Sequence, residues 1–147
     1  MDQNDVLSII VPCFNEQETI PLFFKTVEEN IAQINGLDRE YWFIDDGSSD
    51  DSVDEMKQLN LEYPQIVHYI SFSRNFGKEA ALFAGLKNST GNYVVVMDVD
   101  LQDPPELISE MYTILQKEKY DCVGTRRISR DGEPVIRSFF ANAFYRL

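Results

Sequence analysis

Apolar and polar positions along the chain fall into runs that switch between two spacings. Val6 to Val11 is a short, nearly unbroken apolar run closed by Pro12, the pattern of a strand buried on both faces of a sheet. After Cys13-Phe14-Asn15-Glu16 the period changes. Ile20, Phe23, Phe24, Val27, Ile31 and Ile34 recur at the spacing of one buried helix face, and Asn35-Gly36 closes it, with Gly36 placed as a C′ glycine. Tyr41 to Ile44 predicts a second strand. It runs into Asp45-Asp46-Gly47-Ser48-Ser49-Asp50-Asp51-Ser52, turn and capping chemistry ahead of a helix over 51–62. Ile66 to Phe72 predicts a third strand, Ser73 to Lys78 a loop, and Glu79 to Asn88 a helix.

The fourth strand, Tyr93 to Met97, is again continuously apolar and ends in Asp98-Val99-Asp100-Leu101-Gln102. Pro104-Pro105 suits a helix start, where a missing N–H costs nothing, and Leu107, Ile108, Met111, Ile114 and Leu115 supply that helix with an apolar face. Tyr120 to Gly124 predicts a short fifth strand. Strands alternating with helices of this length mean βαβ units with right-handed crossovers. The expected class is α/β: a doubly wound, mostly parallel sheet with helices on both faces.

That topology brings the strand ends together. Phe14-Asn15-Glu16, Asp45-Asp46 and Asp98-Val99-Asp100 should open on the carboxyl edge of the sheet, where α/β folds bind ligands. Asp98 and Asp100 repel each other unless a cation lies between them, and hard oxygen donors of this kind suit Mg²⁺ or Mn²⁺ held jointly by substrate phosphates. Gln102 is a candidate neutral ligand. Asp46 could accept hydrogen bonds from a base or a ribose, although Asp-Gly-Ser is also ordinary turn chemistry.

Several other chemistries lack their residues. The turn after the first strand is Pro12-Cys13-Phe14-Asn15, not the glycine-rich turn of a dinucleotide fold. Gly77-Lys78 lacks the rest of a phosphate-binding P-loop. An EF-hand starting at Asp98 would need Gly where Asp103 stands and Glu where Ser109 stands. His68 and two separated cysteines have no zinc-ligand spacing and read as structural.

Length and charge then bound the picture. The chain has 147 residues and 44% apolar content, enough for one domain with a core. No apolar run approaches the roughly 20 residues of a membrane span, and the N-terminus lacks signal-peptide features. Two cysteines, both in apolar segments, fit a reducing compartment. The net charge of −12 argues against nucleic acid as a partner. Its distribution is uneven. Residues 1–125 hold 8 Lys+Arg against 23 Asp+Glu, whereas residues 126–147 hold 5 Arg against Asp131 and Glu133. An arginine-rich end on an acidic body suggests an anionic partner, though a solvated helix would read the same way. Ile136, Phe139, Phe140, Ala143, Phe144 and Leu147 form a helical stripe still running at the last residue, which reads as a truncated chain.

Taken together, Ile9-Ile10-Val11-Pro12-Cys13-Phe14-Asn15-Glu16, Ile44-Asp45-Asp46-Gly47-Ser48 and Asp98-Val99-Asp100 resemble, in order and spacing, the motifs of the family-2 glycosyltransferases, which have the GT-A fold and use nucleotide-sugar donors. Asp98 to Pro105, with Ser73-Arg74-Asn75-Phe76-Gly77-Lys78-Glu79, is similar to the branch that transfers sugars to polyprenyl phosphates. That branch includes dolichol-phosphate mannose synthase and bactoprenol glucosyltransferases. Gly124-Thr125-Arg126 resembles its Gly-Ser-Arg element and Arg137-Ser138 its later arginine.

The resemblance implies a division into a nucleotide-sugar-binding core, 1–125, and the start of an acceptor and membrane-proximal segment, 126–147. Pro12, Phe14, Glu16 and Asp46, with Asp45, would hold the base and ribose. Arg74 and Lys78 would meet the donor phosphates. Asp98 and Asp100, the catalytic acids, would bind Mg²⁺ or Mn²⁺ with Gln102, and Arg126 and Arg137 would face the acceptor phosphate. The implied reaction is metal-dependent, inverting transfer from a nucleotide sugar, UDP-glucose first among them, to polyprenyl phosphate. The setting would be the cytosolic membrane face, with the membrane met through a missing C-terminal part and the present piece soluble. A lipid phosphate is largely ionised at neutral pH and needs cations rather than a general base. Two alternatives stay open: a sugar-hydroxyl acceptor in polysaccharide synthesis, and a fragment that binds nucleotide sugar without transferring it. Self-association into a homo-oligomer is left open as well.

Overall fold

The computed structural model describes residues 4–118 and 120–125. Among these, four strands form one sheet: β1 (Asp5–Cys13), β2 (Leu37–Asp45), β3 (Val67–Ser71) and β4 (Tyr93–Val96), in the order β3-β2-β1-β4. Every pairing is parallel, with Ile9 opposite both Tyr41 and Val95, and Phe43 opposite Tyr69. Between and after the strands lie α1 (Thr19–Ile31), α2 (Ser52–Glu62), α3 (Lys78–Asn88) and α4 (Leu107–Lys117). Contacts divide the chain into Met1–Tyr112 and Thr113–Leu147, and the whole sheet lies in the first unit.

Strand residues alternate between two cores. Leu7, Ile9, Val11 and Cys13 of β1, with Tyr41 and Phe43 of β2, join Ile20, Phe23, Phe24, Val27 and Ile31 of α1 and Met56 and Leu59 of α2. Burying one such aliphatic or aromatic side chain is worth about 1.5–3 kcal/mol, so the α1 stripe alone outweighs its weak caps, where no side chain closes the N-terminus. On the opposite face Ile10 and Ile44 meet Ala81, flanked by Trp42, Ile70 and Phe72. At Gly85 a Cβ would strike Ile10 and come within 3.0 Å of Ile44 Cδ1, so only glycine lets α3 lie this close to the sheet. With helices on both faces, the doubly wound α/β class follows.

Some elements differ from the sequence reading. Helix α1 stops at Ile31; Gly36, at φ 78°, instead turns the chain into β2, its carbonyl accepting the Asp5 amide at 3.2 Å. Strand β2 starts four residues early, at Leu37, because its polar residues are satisfied by tertiary partners. Arg39 pairs with Glu28, and buried Glu40 accepts the Ser8 hydroxyl at 2.6 Å and the Thr90 amide at 2.6 Å. Strand β4 is an edge strand among the described residues, with Val94 44% and Val96 43% exposed rather than buried on both faces. A run of valines signals strand, but it does not say how many neighbours cover it. Tyr120 to Gly124 is no strand; Tyr120 is 60% exposed and the short run has little burial to lock it.

Candidate functional site

The loops after β1 and β2 are tied to each other before either reaches a ligand. Asn15 adopts φ 56°, its amide donates to Ser48 Oγ at 2.8 Å, and its side-chain carbonyl accepts the Ser49 amide at 2.8 Å. One residue on, the Glu16 amide donates to Ser52 Oγ at 2.7 Å. The Thr19 hydroxyl donates to the Glu16 carboxylate. Asn at a left-handed position and hydroxyls that accept neighbouring amides are what loop chemistry favours. Pro12 fits because Ile10 already bonds toward β4, its carbonyl accepting the Met97 amide at 3.0 Å. Two residues later the missing Pro12 N–H points to the same side, beyond the end of β4.

Asp45, the last residue of β2, and Asp46, the first of the loop after it, serve different partners. Asp45 is 1% exposed and accepts the Ser48 amide at 3.0 Å and the Ser71 hydroxyl at 2.9 Å. Asp46 accepts the amides of Phe76 at 2.7 Å and Gly77 at 2.9 Å, fixing the loop that leads into α3. Between the loops Gly47 takes φ 75°. A Cβ there would strike the Arg74 carbonyl carbon and lie 2.6 Å from the Asn75 nitrogen, so only glycine fits.

From the first residue of α3, Lys78 Nζ reaches Asp98 Oδ1 at 2.5 Å. Asp100 Oδ1 accepts the Gln102 amide at 3.1 Å across Leu101, which sits at φ 57°. A branched side chain in that region stores strain. Pro12, Cys13, Phe14, Glu16, Asp46, Lys78, Asp98, Val99 and Asp100 line one cavity of about 230 Å³ at the carboxyl ends of β1, β2 and β4. Phe14 leaves a half-exposed ring at its wall. Cys13 is inert there: burial, then Glu16 and Asp45, push its thiol far above the ordinary range, so it stays protonated.

Seven residues singled out from the sequence therefore converge on one cavity: Pro12, Phe14, Glu16, Asp46, Lys78, Asp98 and Asp100. Asp45, Arg74 and Gln102 do not line it. The Arg74 guanidinium lies 4.8 Å from the centre of the Phe76 ring. Arg126 and Arg137 lie outside the described residues. The His68 ring packs against Trp42, centroids 4.6 Å apart and tilted by 31°, and does not line the cavity. Missed from the sequence were Asn15, Ser48 and Ser52 as the lacing of the two loops, and Gly47 as the close approach to Arg74. Only the Asn and Ser in turn segments signalled them.

Among the described residues no group of three His, Cys, Asp or Glu could close a metal site. Two carboxylates on the wall of a solvent-filled cavity suit instead an ion that takes its other ligands from phosphate and water, as Mg²⁺ and Mn²⁺ do.

The family model described as "Glycosyl transferase family 2" matches residues 8–142. The bactoprenol glucosyl transferase of Shigella phage SfX is 42% identical over 96% of this chain and 45% of its own length. The chain spans less than half the length of the curated relatives it matches. Among solved structures, TarS of S. aureus superposes with a TM-score of 0.66 over 87% of this chain and 38% of that one, at 17% identity. The Pyrobaculum calidifontis mannosyltransferase PcManGT, in complex with GDP-Man and Mn²⁺, gives 0.56 over 70% of this chain and 34% of that one, at 24% identity. Both share the fold.

Proposed function

The chain belongs to glycosyl transferase family 2, and from that premise we propose that it is the donor-binding part of an enzyme that moves a sugar from a nucleotide sugar to a polyprenyl phosphate. The observation that carries this reading is the convergence of Pro12, Phe14, Glu16, Asp46, Lys78, Asp98 and Asp100 on one cavity at the carboxyl edge of the sheet. The acceptor class is supported by the phage SfX relative, a bactoprenol glucosyl transferase. A divalent cation is supported by the Mn²⁺ in PcManGT.

In this reading the half-exposed Phe14 ring and Pro12 bound the base, and Glu16 meets the ribose. Asp46 shapes that end through the Phe76 and Gly77 amides. Asp98 and Asp100 would hold Mg²⁺ or Mn²⁺ at the diphosphate, and Gln102, from the following turn outside the cavity lining, would be a further ligand. A bound divalent cation supplies stabilisation of the charge that develops on the departing nucleoside diphosphate. The acceptor phosphate, already ionised, attacks the anomeric carbon from the opposite face with inversion. Arg126 and Arg137 orient it, since guanidinium groups grip phosphate oxygens in pairs. The donor sugar is glucose, carried as UDP-glucose, and transfer takes place on the cytosolic face of the membrane. Among the described residues no helix is long and apolar enough to cross a membrane; the membrane is met, in this reading, by parts of the full protein outside them.

The test uses the full-length protein with radiolabelled UDP-glucose and undecaprenyl phosphate. Expected is lipid-linked glucose that requires Mg²⁺ or Mn²⁺. Absence of metal-dependent transfer with UDP-glucose, UDP-GlcNAc and GDP-mannose alike would overturn the reading.

A further inference from the structure

Among the described residues that line the cavity, Lys78 is the one cation, against Glu16, Asp46, Asp98 and Asp100. Its ammonium lies 2.5 Å from Asp98, with the two side chains 53% and 46% exposed. A pair so open to solvent contributes little to folding, yet its placement is specified by the fold. Asp46, from the end of β2, holds the two amides immediately before Lys78, those of Phe76 and Gly77. Gly77, at φ 98°, then turns the chain into α3, and its carbonyl accepts the Ala80 amide at 3.1 Å. The backbone of Lys78 is thus anchored beside the end of β2 while its side chain reaches past the end of β4.

Asp98 is also the carboxylate that a divalent cation would need. An ion entering there meets an ammonium already in place, so the two compete for one oxygen. We infer that Lys78 is a tethered counter-ion: it holds Asp98 while the cavity is empty and swings to the diphosphate of the donor when metal and nucleotide enter together. The inference rests on the nucleotide-sugar reading, since it takes the diphosphate and the metal from it, and it adds a coupling between them. Metal alone must evict the ammonium without compensation. With a diphosphate present, the displaced ammonium finds phosphate oxygens within the sweep of a flexible four-carbon stem. Each ligand therefore raises the affinity of the other, and by linkage the two effects are equal.

The experiment is isothermal titration of MnCl2 into the chain, alone and with saturating UDP or, in parallel, GDP. It compares wild type, Lys78→Met and Lys87→Met. Lys87, in the last turn of α3, loses the same charge away from the cavity. Circular dichroism confirms that each variant is folded. Expected for Lys78→Met is tighter binding of Mn²⁺ alone, by about 1.5- to fivefold, the worth of an exposed ion pair. The gain in Mn²⁺ affinity from the nucleotide should shrink by at least as much. Lys87→Met should match wild type in both titrations. Failure of both nucleotides to change Mn²⁺ affinity in the wild-type chain would overturn the nucleotide-sugar reading and this inference with it. A wild-type chain that responds to nucleotide, with Lys78→Met behaving identically, overturns the inference alone. A change of the same size in Lys87→Met also overturns it, by reducing the effect to net charge.

Discussion

The Gly77 amide donates to Asp46 Oδ2 at 2.9 Å across 31 positions of sequence, joining the end of β2 to the start of α3. No side chain caps α3 locally; Asp46 instead fixes the approach to the helix, accepting the amides of Phe76 and of the N-cap residue Gly77. It sets where α3 begins and so where Lys78 stands.

Removing that acceptor strands two amides in a part-buried turn. Asp46→Ala should cost about 1–3 kcal/mol, and Asp46→Asn, which keeps one carbonyl oxygen, less. Urea unfolding of the three proteins measures this, and an unchanged midpoint for Asp46→Ala would show that water replaces the carboxylate freely.

Gly47→Ala should be more damaging. The residue sits at φ 75° with the Arg74 backbone against its open side, so a methyl group brings strain and collision together, at about 2 kcal/mol or more. Expected is a lowered melting temperature and loss of Mn²⁺-dependent nucleotide binding, because the Asp45-Asp46 and Arg74-Asn75 segments must separate. Normal stability with normal binding would contradict the close packing of these loops.

Glu40 predicts acid sensitivity. Burial alone would raise its carboxyl, but the Ser8 hydroxyl and the Thr90 amide and hydroxyl outweigh burial and hold it below the ordinary 4.5. A group whose folded value is depressed stabilises the fold fully above its unfolded value, and loses that contribution as pH falls through the folded one. Glu40→Gln should therefore be less stable than wild type by about 1–3 kcal/mol at pH 7. The gap should narrow below about pH 4.5. Urea midpoints measured from pH 7 to pH 3 check both the size and the direction.

Asp100→Ala should leave the melting temperature nearly unchanged, because Asp100 is exposed and, among the described residues, its side chain holds the Gln102 amide alone, at 3.1 Å. Calorimetry should find Mn²⁺-dependent nucleotide binding abolished. Wild-type affinity would remove this carboxylate from the metal.

What could be read from the sequence follows what each pattern physically encodes. The stripe from Ile20 to Ile31 gave the buried face of α1, because helical spacing reports burial directly. The alternation of strands and helices gave parallel pairing, and parallel pairing gathered Glu16, Asp46, Asp98 and Asp100 at one edge. Less legible were features that depend on partners distant in the chain. The first half of β2 was hidden because Arg39 and Glu40 look like loop residues until Glu28, Ser8 and Thr90 meet them. The lacing of Asn15 to Ser48 and Ser49 was hidden for the same reason. Tyr120 to Gly124 misled in the other direction, since a few apolar residues resemble a strand whether or not a ladder exists for them.

Gly85 has a longer reach than its size suggests. Its missing side chain lets α3 settle onto Ile10 and Ile44, and Lys78 lies two helical turns away at the other end of the same rigid rod. Because α3 is one helix, the depth at which Gly85 seats it also bears on where Lys78 stands beside Asp98. The place of the ammonium at the cavity wall is in this way tied to the interior of the protein, through a residue that does not line the cavity.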